Sequence, residues 1–386
     1  MNFREMYAAL MASLLLLFAV PASAQQTAAP RPMVPTADRV AVETLVRGLG
    51  HPWGLQFLPD GRMLVTERSG QLRVVDAGGK LSPPVAGVPT VFASGQGGLL
   101  DVVLDPEFSS NGQIFLSYAE PRGGGAAGTA VARGRLTLAS SGGRLDDVTV
   151  IFRQVPPSGG GFHFGSRLAF GRDGHLFLTI GDRGSPMRAQ DYDTHIGKVM
   201  RIDRDGQAPS DNPFVGRSGT LPEIWSIGHR NPQAAAIHPE TGKLWTVEHG
   251  ARGGDEINVP LAGRNYGWPR ISYGREYSGA RIGIGTRAEG MEQPIYYWDP
   301  SIAPSGMAFY TSDRFAEWQG NLFVGALALQ HLTRLVIDGE RVVAEERLIE
   351  NLGERIRDVR QGPDGALYLL TDHPDGKILR LTLRSS

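Results

Sequence analysis

A histidine and an aspartate flank a predicted β-hairpin near the middle of the chain. His163 lies in a glycine-rich loop before the apolar residues 166–170, and Asp182 follows the apolar residues 175–180. An Arg-Asp-Gly turn separates the two runs, so the ends of the hairpin should meet at one edge of a sheet. A carboxylate can fix the tautomer of an imidazole and leave its other nitrogen free as a base. We therefore predict an active site with His163 as catalytic base and Asp182 as its partner; the alternative is a structural histidine.

Three further loops carry polar side chains just before an apolar run. Gln96 precedes residues 100–104, Arg230 and Asn231 precede residues 233–237, and Arg355 and Arg357 surround the start of the last such run. Because side chains alternate along a strand, Arg355 and Arg357 lie on the same face. Two like charges side by side repel each other, which favours an anion between them. A cation and an amide suit an anionic or carbonyl-rich ligand. The alternative is that these arginines pack on their neighbours at the surface.

The stretch EHGARGGDEIN, residues 248–258, is acidic and rich in glycine. Carboxylate and backbone carbonyl oxygens in an irregular loop suit Ca²⁺. The spacing is not that of an EF-hand, so a helix-loop-helix site is not implied. An ordinary polar loop is the alternative reading.

These loops need a scaffold, and a repeated pattern in the chain supplies one. An apolar run, a turn containing Asp, Asn, Pro, Gln or Gly, and a second apolar run recur six times, with almost no helical pattern between them. Three or four strands per copy predict an all-β protein, a six-bladed β-propeller, with a strand around residues 40–45 completing the last blade. A β-sandwich is the alternative, but it needs no regular repeat. The first apolar run of each copy is predicted at residues 53–57, 100–104, 166–170, 233–237, 306–310 and from residue 356.

Composition excludes several classes of partner and chemistry. The 386 residues carry a formal net charge of -1 with no run of like charges, which disfavours nucleic acid or an anionic membrane surface as a partner. There is no cysteine, so thiol catalysis, cysteine-based metal sites and disulfides are excluded.

The amino terminus has the pattern of an export signal. Arg4 precedes an apolar core at residues 8–20, and Ala22-Ser23-Ala24 is a small-x-small cleavage site. The apolar core is short for a membrane span, although a membrane anchor is the alternative. We predict a signal peptide at residues 1–24, a polar linker at residues 25–36, a propeller domain at residues 37–386, and a periplasmic or secreted protein without stable membrane insertion.

Several long strings in the chain resemble one known family. FHFGSRLAFGRDGHLFLTIGDRG, GHRNPQ, EHGARGGDEIN, NYGWP and RIRDVRQGPDG are similar to the soluble PQQ-dependent aldose sugar dehydrogenases of the glucose/sorbosone dehydrogenase family, in the family's order, from about residue 40 to residue 383. The resemblance implies a calcium-assisted oxidation of the anomeric C1 hydroxyl of an aldose to a lactone. It does not identify the preferred sugar, the electron acceptor or the oligomeric state.

The resemblance also implies roles for individual residues. His163 matches the general base that takes the hydroxyl proton while hydride leaves C1 for the quinone, and Asp182 matches its neighbouring carboxylate. The backbone carbonyls of Gly250 and Ala251 match ligands of a calcium beside the quinone, and Glu256 and Tyr266 resemble ligands of a second, structural calcium. Tyr277 resembles an aromatic residue of the cofactor pocket. The positions that match PQQ-binding residues are Gln96, Arg230, Asn231, Arg355 and Arg357.

One position departs from the family pattern. Ala328 stands where the family commonly carries a lysine that contacts the cofactor. Loss of a charge-assisted contact costs about 1.5 to 3 kcal/mol. The remaining arginines could still hold PQQ. Two other functions stay open at this point: a calcium-dependent lactonase on the same fold, and a non-catalytic propeller that acts as a binding module.

Overall fold

A computed structural model describes residues 30–139 and 142–384, and nearly all of its regular structure is strand. The described strands form six antiparallel sheets. Blade 1 contains β2 (Pro52–Phe57), β3 (Met63–Glu67) and β4 (Gln71–Val75). Blade 2 contains β5 (Leu99–Leu104), β6 (Gln113–Pro121), β7 (Ala127–Ala139) and β8 (Gly142–Arg153). Blade 3 contains β9 (Leu168–Phe170), β10 (Leu176–Ile180), β11 (Lys198–Ile202) and β12 (Ile224–Ile227).

The second half of the chain repeats this plan. Blade 4 contains β13 (Pro232–Ile237), β14 (Leu244–Glu248), β15 (Asp255–Asn258) and β16 (Tyr296–Trp298). Blade 5 contains β17 (Pro304–Phe309), β18 (Leu322–Ala326), β19 (Leu332–Asp338) and β20 (Arg341–Leu348). Blade 6 contains β21 (Ile356–Gln361), β22 (Leu367–Thr371), β23 (Gly376–Leu383) and β1 (Val40–Leu49). The helical segments of the described residues are α1 (Phe108–Asn111) and the 3-10 turns Ala37–Arg39, Pro186–Gln190 and Ala316–Trp318.

The first strands of the six blades close into a ring. β2, β5, β9, β13, β17 and β21 contact one another in that order, and β21 returns to β2. Apolar clusters fill the space between neighbouring sheets; Ala169 and Phe177 of blade 3, for example, pack with Ala235 and Leu244 of blade 4. The predicted six-bladed β-propeller is therefore confirmed, and the β-sandwich alternative is wrong. β1 pairs with β23 and completes blade 6, as the sequence predicts.

The first strand of blade 3 is predicted at residues 166–170, but the observed strand, β9, begins only at Leu168. Ser166 has a left-handed backbone with φ of 79°, which a regular strand does not accommodate. The backbone N–H of Arg167 donates to the side-chain hydroxyl of Thr179 at 3.0 Å instead of to the sheet. Regular pairing starts only at Leu168.

Buried hydroxyl groups connect one blade to the next. In four of the blades a serine or threonine side chain donates a hydrogen bond to a backbone carbonyl at the start of the following blade's first strand. Because a buried carbonyl needs a donor, these bonds fix the neighbouring strands on which the site stands. The pairs are Thr66 with Leu100, Ser117 with Ser166, Thr179 with Pro232, and Ser305 with Ile356.

An ion cluster, here called the axial cluster, joins the first strands of blades 2 and 6 to the residue preceding β9. Arg167 places one guanidinium nitrogen 3.0 Å from Asp101 and 3.2 Å from Asp358. Arg360 approaches the same two carboxylates at 3.3 and 3.1 Å. Burial raises the pKa of Asp101 despite the charges of both arginines. On β17, Gly306 leaves room for the cluster, because a Cβ there would lie 2.2 Å from an Asp358 oxygen.

The last part of the predicted linker is bound to blade 5. Thr36 is fully buried, and its backbone N–H donates to Glu346 at 2.6 Å. The indole N–H of Trp318 donates to the Thr36 hydroxyl at 3.1 Å, and Pro30 accepts a bond from the backbone of Glu345. Residues 30–36 are therefore an ordered strap and not a free tether. The predicted signal peptide, residues 1–24, and residues 25–29 lie outside the described residues.

Candidate active site

His163 and Asp182 meet as the hairpin pattern predicts. The Nδ1 atom of His163 lies 2.7 Å from Asp182 Oδ1, and the backbone N–H of Gly184 donates to the same oxygen at 2.9 Å. The indole N–H of Trp268 donates to Asp182 Oδ2 at 2.8 Å. Since an ionised carboxylate only accepts, Nδ1 of the neutral imidazole carries the hydrogen. The other ring nitrogen, Nε2, is then free to accept a proton.

Asp182 is ionised in this environment. Its side chain is only 3% exposed, and burial alone would raise its pKa. The hydrogen bond and charge of His163, the N–H of Gly184 and the charge of Arg230 outweigh burial, so the pKa lies below its usual value. A permanent negative charge next to His163 stabilises the imidazolium that forms when Nε2 takes up a proton.

Close backbone packing fixes the position of His163. Its φ of 50° is left-handed, and its backbone carbonyl contacts Gly181, where a Cβ would lie only 2.1 Å away. Its backbone N–H donates to the Gln96 side chain at 2.8 Å. Arg183 donates to the carbonyl of Phe162 from the other side. His163 is thus held by blades 2 and 3 together.

A cavity of about 180 Å³ lies at one face of the ring, and its lining includes Phe164 and Gly165, the two residues that follow His163. Its lining comes from the beginnings of first strands, from the loops that enter them and from the loops that leave second strands, and in an antiparallel hairpin these lie at the same edge. The polar lining residues are Arg68, Gln96, Asn231, Gln233, His249, Arg355, Arg357 and Asp372.

The anion between Arg355 and Arg357 is supplied by the protein itself. Asp372 lies 3.3 Å from Arg355 and 3.2 Å from Arg357, and it also contacts Nδ1 of His51 at 3.0 Å. Burial alone would raise the pKa of Asp372, but Arg357, His51 and Arg355 lower it well below its usual range. The sequence argument that this pair needs an external anion is therefore incomplete.

The cavity nevertheless keeps an excess of positive charge. The guanidinium groups of Arg68, Arg355 and Arg357 line it, whereas Asp372 is the single acidic side chain among its described lining residues. Arg357 is bound further by the side-chain oxygen of Gln233 at 3.1 Å, and its Nε is buried without a partner among the described residues. Such donors suit a ligand that carries more than one carboxylate.

His249 is a second histidine near His163, and it lines the cavity together with the arginines. Its Nε2 is 2.6 Å from the Pro304 carbonyl, to which it donates. Burial lowers the pKa of His249 to about 3, and the charges of Arg230, Arg357 and His163 act in the same direction. His249 is therefore a neutral wall of the cavity and not a second base.

Asn231 and Arg230 both lie at this site, in different positions. Asn231 lines the cavity and accepts the backbone N–H of Gly165 at 3.2 Å. Arg230 lies over the ring of Trp268, with 5.3 Å from its guanidinium carbon to the ring centre, and lines a smaller adjoining cavity. Its Nε is buried without a partner among the described residues.

The acidic loop, residues 248–258, lines the smaller cavity. Gly250, Glu256 and Tyr266 line it together with Glu248, and Ala251 is the buried neighbour of Gly250. Burial and the charge of Glu248 raise the pKa of Glu256 to about 8. The Tyr266 hydroxyl points elsewhere: it donates to the Val259 carbonyl and accepts from the backbone of Leu261. Across residues 30–139 and 142–384, no group of three His, Cys, Asp or Glu side chains could hold a metal.

Two residues with proposed cofactor contacts lie outside the described cavity lining. Tyr277 is 73% exposed on the long loop between β15 and β16. Ala328 is exposed just after β18, beside Leu327, which does line the cavity. Their assignments to the cofactor stay predictions.

Sequence reasoning missed several residues of this site, and three of them share a position in the repeat. Arg68, His249 and Asp372 each follow directly after the second strand of a blade, the position near which Asp182 was found. A comparison of these exit loops across the copies would have found them. Trp268 lies in an irregular loop without an equivalent in the other blades, and no repeat signal marks it.

The fold and the site together define a propeller enzyme, with a histidine–carboxylate pair beside a cationic cavity at one mouth of the ring. Comparison with known proteins gives the family. The Glucose / Sorbosone dehydrogenase family matches residues 49–380, so this chain belongs to that family.

Individual relatives are similar to this chain over most of their length. Aldose sugar dehydrogenase YliI of Escherichia coli (strain K12) is 49% identical over 90% of this chain and 94% of that protein. The crystal structure of a glucose dehydrogenase superposes with a TM-score of 0.87 at 52% identity, covering 90% of this chain and 100% of that one. The PQQ-bound aldose sugar dehydrogenase of Streptomyces coelicolor gives 0.74 at 28% identity, covering 90% of this chain and 100% of that one.

Proposed function

We propose that this protein is a PQQ- and calcium-dependent aldose sugar dehydrogenase that oxidises the anomeric hydroxyl to a lactone. The observation that carries the proposal is the His163–Asp182 pair beside a cavity in which three arginines face one carboxylate. The family and the relative with bound PQQ support it. The substrate is a small aldose.

The cavity fits PQQ by its chemistry. The three carboxylates of this flat cofactor suit Arg68, Arg355 and Arg357, because guanidinium groups bind carboxylates with paired hydrogen bonds. Gln96 and Asn231 add amide groups, and Arg230 adds a cation from the adjoining cavity. Asp372 keeps Arg355 and Arg357 in place before the cofactor arrives.

The acidic loop fits calcium. Asn258 has a buried side-chain oxygen without a hydrogen-bond partner in the described part of the chain, and its amide nitrogen contacts both Glu248 and Glu256. A cation would relieve the repulsion between these two carboxylates. Gly250 and Ala251 would offer backbone carbonyls to a calcium beside PQQ, and Glu256 and Tyr266 would contribute to a second ion. The Tyr266 hydroxyl is already occupied, so its backbone carbonyl is the available ligand.

The chemistry divides between cofactor and protein. Bound PQQ supplies a quinone that accepts a hydride. The C1 hydroxyl of the aldose gives its proton to Nε2 of His163 while the C1 hydrogen leaves with both bonding electrons, and a C1–O double bond forms. Asp182 stabilises the imidazolium through Nδ1. His249 and Gly165 line the cavity near His163.

Reconstitution tests the proposal directly. Apo-protein should bind PQQ in the presence of Ca²⁺, measured by calorimetry and absorbance, and then reduce a dye with aldoses as substrates. EDTA should remove the activity, and Ca²⁺ should restore it. No PQQ binding at micromolar cofactor and saturating Ca²⁺ would contradict the proposal and favour a binding module. Lactone hydrolysis without PQQ would favour a calcium-dependent lactonase.

Ala328→Lys should tighten PQQ binding. The position lies beside Leu327 at the cavity edge, so a lysine there adds a charge-assisted contact of about 1.5 to 3 kcal/mol, or about 10-fold to 100-fold in Kd. Calorimetric titration of the variant with PQQ measures the Kd. Ala262→Lys adds the same charge on an exposed loop that does not line the cavity and serves as control. Equal Kd values for both variants would remove Ala328 from the cofactor site.

We also propose that the protein is periplasmic or secreted. The pattern of residues 1–24 supports export. No helix within the described residues is both long and apolar enough to cross a membrane. Cell fractionation with mass determination of the mature amino terminus tests this location and the expected cleavage after Ala24.

A further inference from the structure

We propose that Trp268 is a positioning residue that orients the catalytic base pair and the cofactor-binding Arg230 at the same time. The inference deepens the proposed dehydrogenase function and rests on it. It starts from two contacts of one side chain: its indole N–H donates to Asp182 at 2.8 Å, and its ring face carries the guanidinium of Arg230.

The indole N–H completes the hydrogen bonds of Asp182. Oδ1 of this carboxylate accepts from His163 and from the backbone of Gly184, so Oδ2 is the oxygen left for Trp268. With both oxygens bound, the carboxylate cannot rotate about its Cβ–Cγ bond. The plane of Asp182 sets the direction of its bond to His163, and hence the direction in which Nε2 points.

Arg230 depends on the same ring. Its guanidinium makes only a long 3.4 Å contact with the His249 carbonyl, and its Nε has no partner among the described residues. A guanidinium over an indole face is attracted to the ring electrons. The ring of Trp268 is therefore the main contact that orients this cation.

Trp268 is itself held from two sides. Its backbone N–H donates to the Gly228 carbonyl at 2.9 Å, and its carbonyl accepts from the Gln190 side chain at 2.7 Å. Gln190 belongs to the 3-10 turn Pro186–Gln190, whose carbonyls at residues 188 and 189 are bound by the buried Lys198. Because Trp268 is anchored to this turn of blade 3, its indole can hold both Asp182 and Arg230 in a fixed position relative to that blade.

Two substitutions separate the roles. Trp268→Phe removes the N–H and keeps a ring, so kcat should fall about 10-fold to 100-fold with little change in KM or in the Kd for PQQ. Trp268→Leu removes the ring face as well, so the Kd for PQQ should also rise. Trp298→Phe is the matched control, since Trp298 donates its indole N–H to the buried carboxylate of Glu345 at 3.0 Å, away from the site.

A measurement on the apo-protein makes the test independent of turnover. In ¹⁵N NMR of the histidine side chains, His163 should be a single Nδ1–H tautomer in the wild type and in Trp298→Phe, and a mixture in Trp268→Phe. If Trp268→Phe does not fold, the indole N–H resonance of Trp268 should move on Asp182→Asn substitution. An unchanged kcat with an unchanged tautomer, or an unmoved indole resonance, would overturn the inference. Absence of dehydrogenase activity in the wild type would instead contradict the proposed function, while the tautomer would still decide the role of Trp268.

Discussion

His163→Ala should lower kcat by about 100-fold to 10,000-fold, the usual contribution of a positioned general base. The imidazole is bound to the ionised Asp182 through Nδ1, which leaves Nε2 as the nitrogen that can accept a proton. Alanine leaves the C1 hydroxyl without a proton acceptor, whereas the arginines and amides of the cavity remain. The variant should therefore bind PQQ with near-normal affinity while dye reduction is lost, as stopped-flow absorbance and calorimetry can measure.

His175→Ala is the matched control for this prediction. His175 lies at the hairpin turn, where it contacts Asp173 and Arg201 and does not line the cavity. Its replacement should change kcat by less than about twofold, because a substitution away from the site and from the core usually has a small effect. Wild-type turnover in His163→Ala would show that another group is the base.

Arg167→Met should destabilise the propeller by about 3 to 5 kcal/mol, the usual effect of removing one partner from a buried ion pair. The Arg167 side chain is 1% exposed, contacts both Asp101 and Asp358, and stacks over Trp53 at 4.2 Å. Arg360 alone would then face two buried carboxylates. The free energy of unfolding from denaturant titration, with PQQ and Ca²⁺ absent, gives the measurement.

A surface pair provides the comparison. Arg135 and Asp147 lie 2.8 Å apart, but they are 50% and 77% exposed, so Arg135→Met should leave the free energy of unfolding nearly unchanged. In the axial cluster, adding Asp101→Asn to Arg167→Met should recover part of the loss, because one uncompensated charge is removed. Equal effects of the two single substitutions would show that the cluster does not stabilise the ring.

Much of this architecture could be predicted because it repeats. Each first strand, its turn and its second strand are local patterns, and six copies made the propeller and the closing strand predictable. His163 and Asp182 were found because one hairpin holds both. Gln96, Asn231, Arg355 and Arg357 were found because the loops entering the first strands were compared, and the structure brings all four to one cavity.

The rest depends on contacts between distant parts of the chain. Asp372 neutralises arginines some fifteen residues before it, which no local pattern records. Trp268 reaches Asp182 across 86 positions. Tyr277 lies on a long irregular loop, where neither periodicity nor a repeat fixes the direction of a side chain, and it emerges largely exposed.

The pairing of β1 with β23 has a consequence for how the protein is made. Val40 lies opposite Leu383, so two strands far apart in the sequence complete one blade. Closing so long a loop costs entropy and is a slow event compared with forming a local hairpin. Until that moment the ring has a gap, and the mouth that carries the cavity, which draws on several blades, has no complete rim. Assembly of this mouth thus waits for the pairing of β1 with β23.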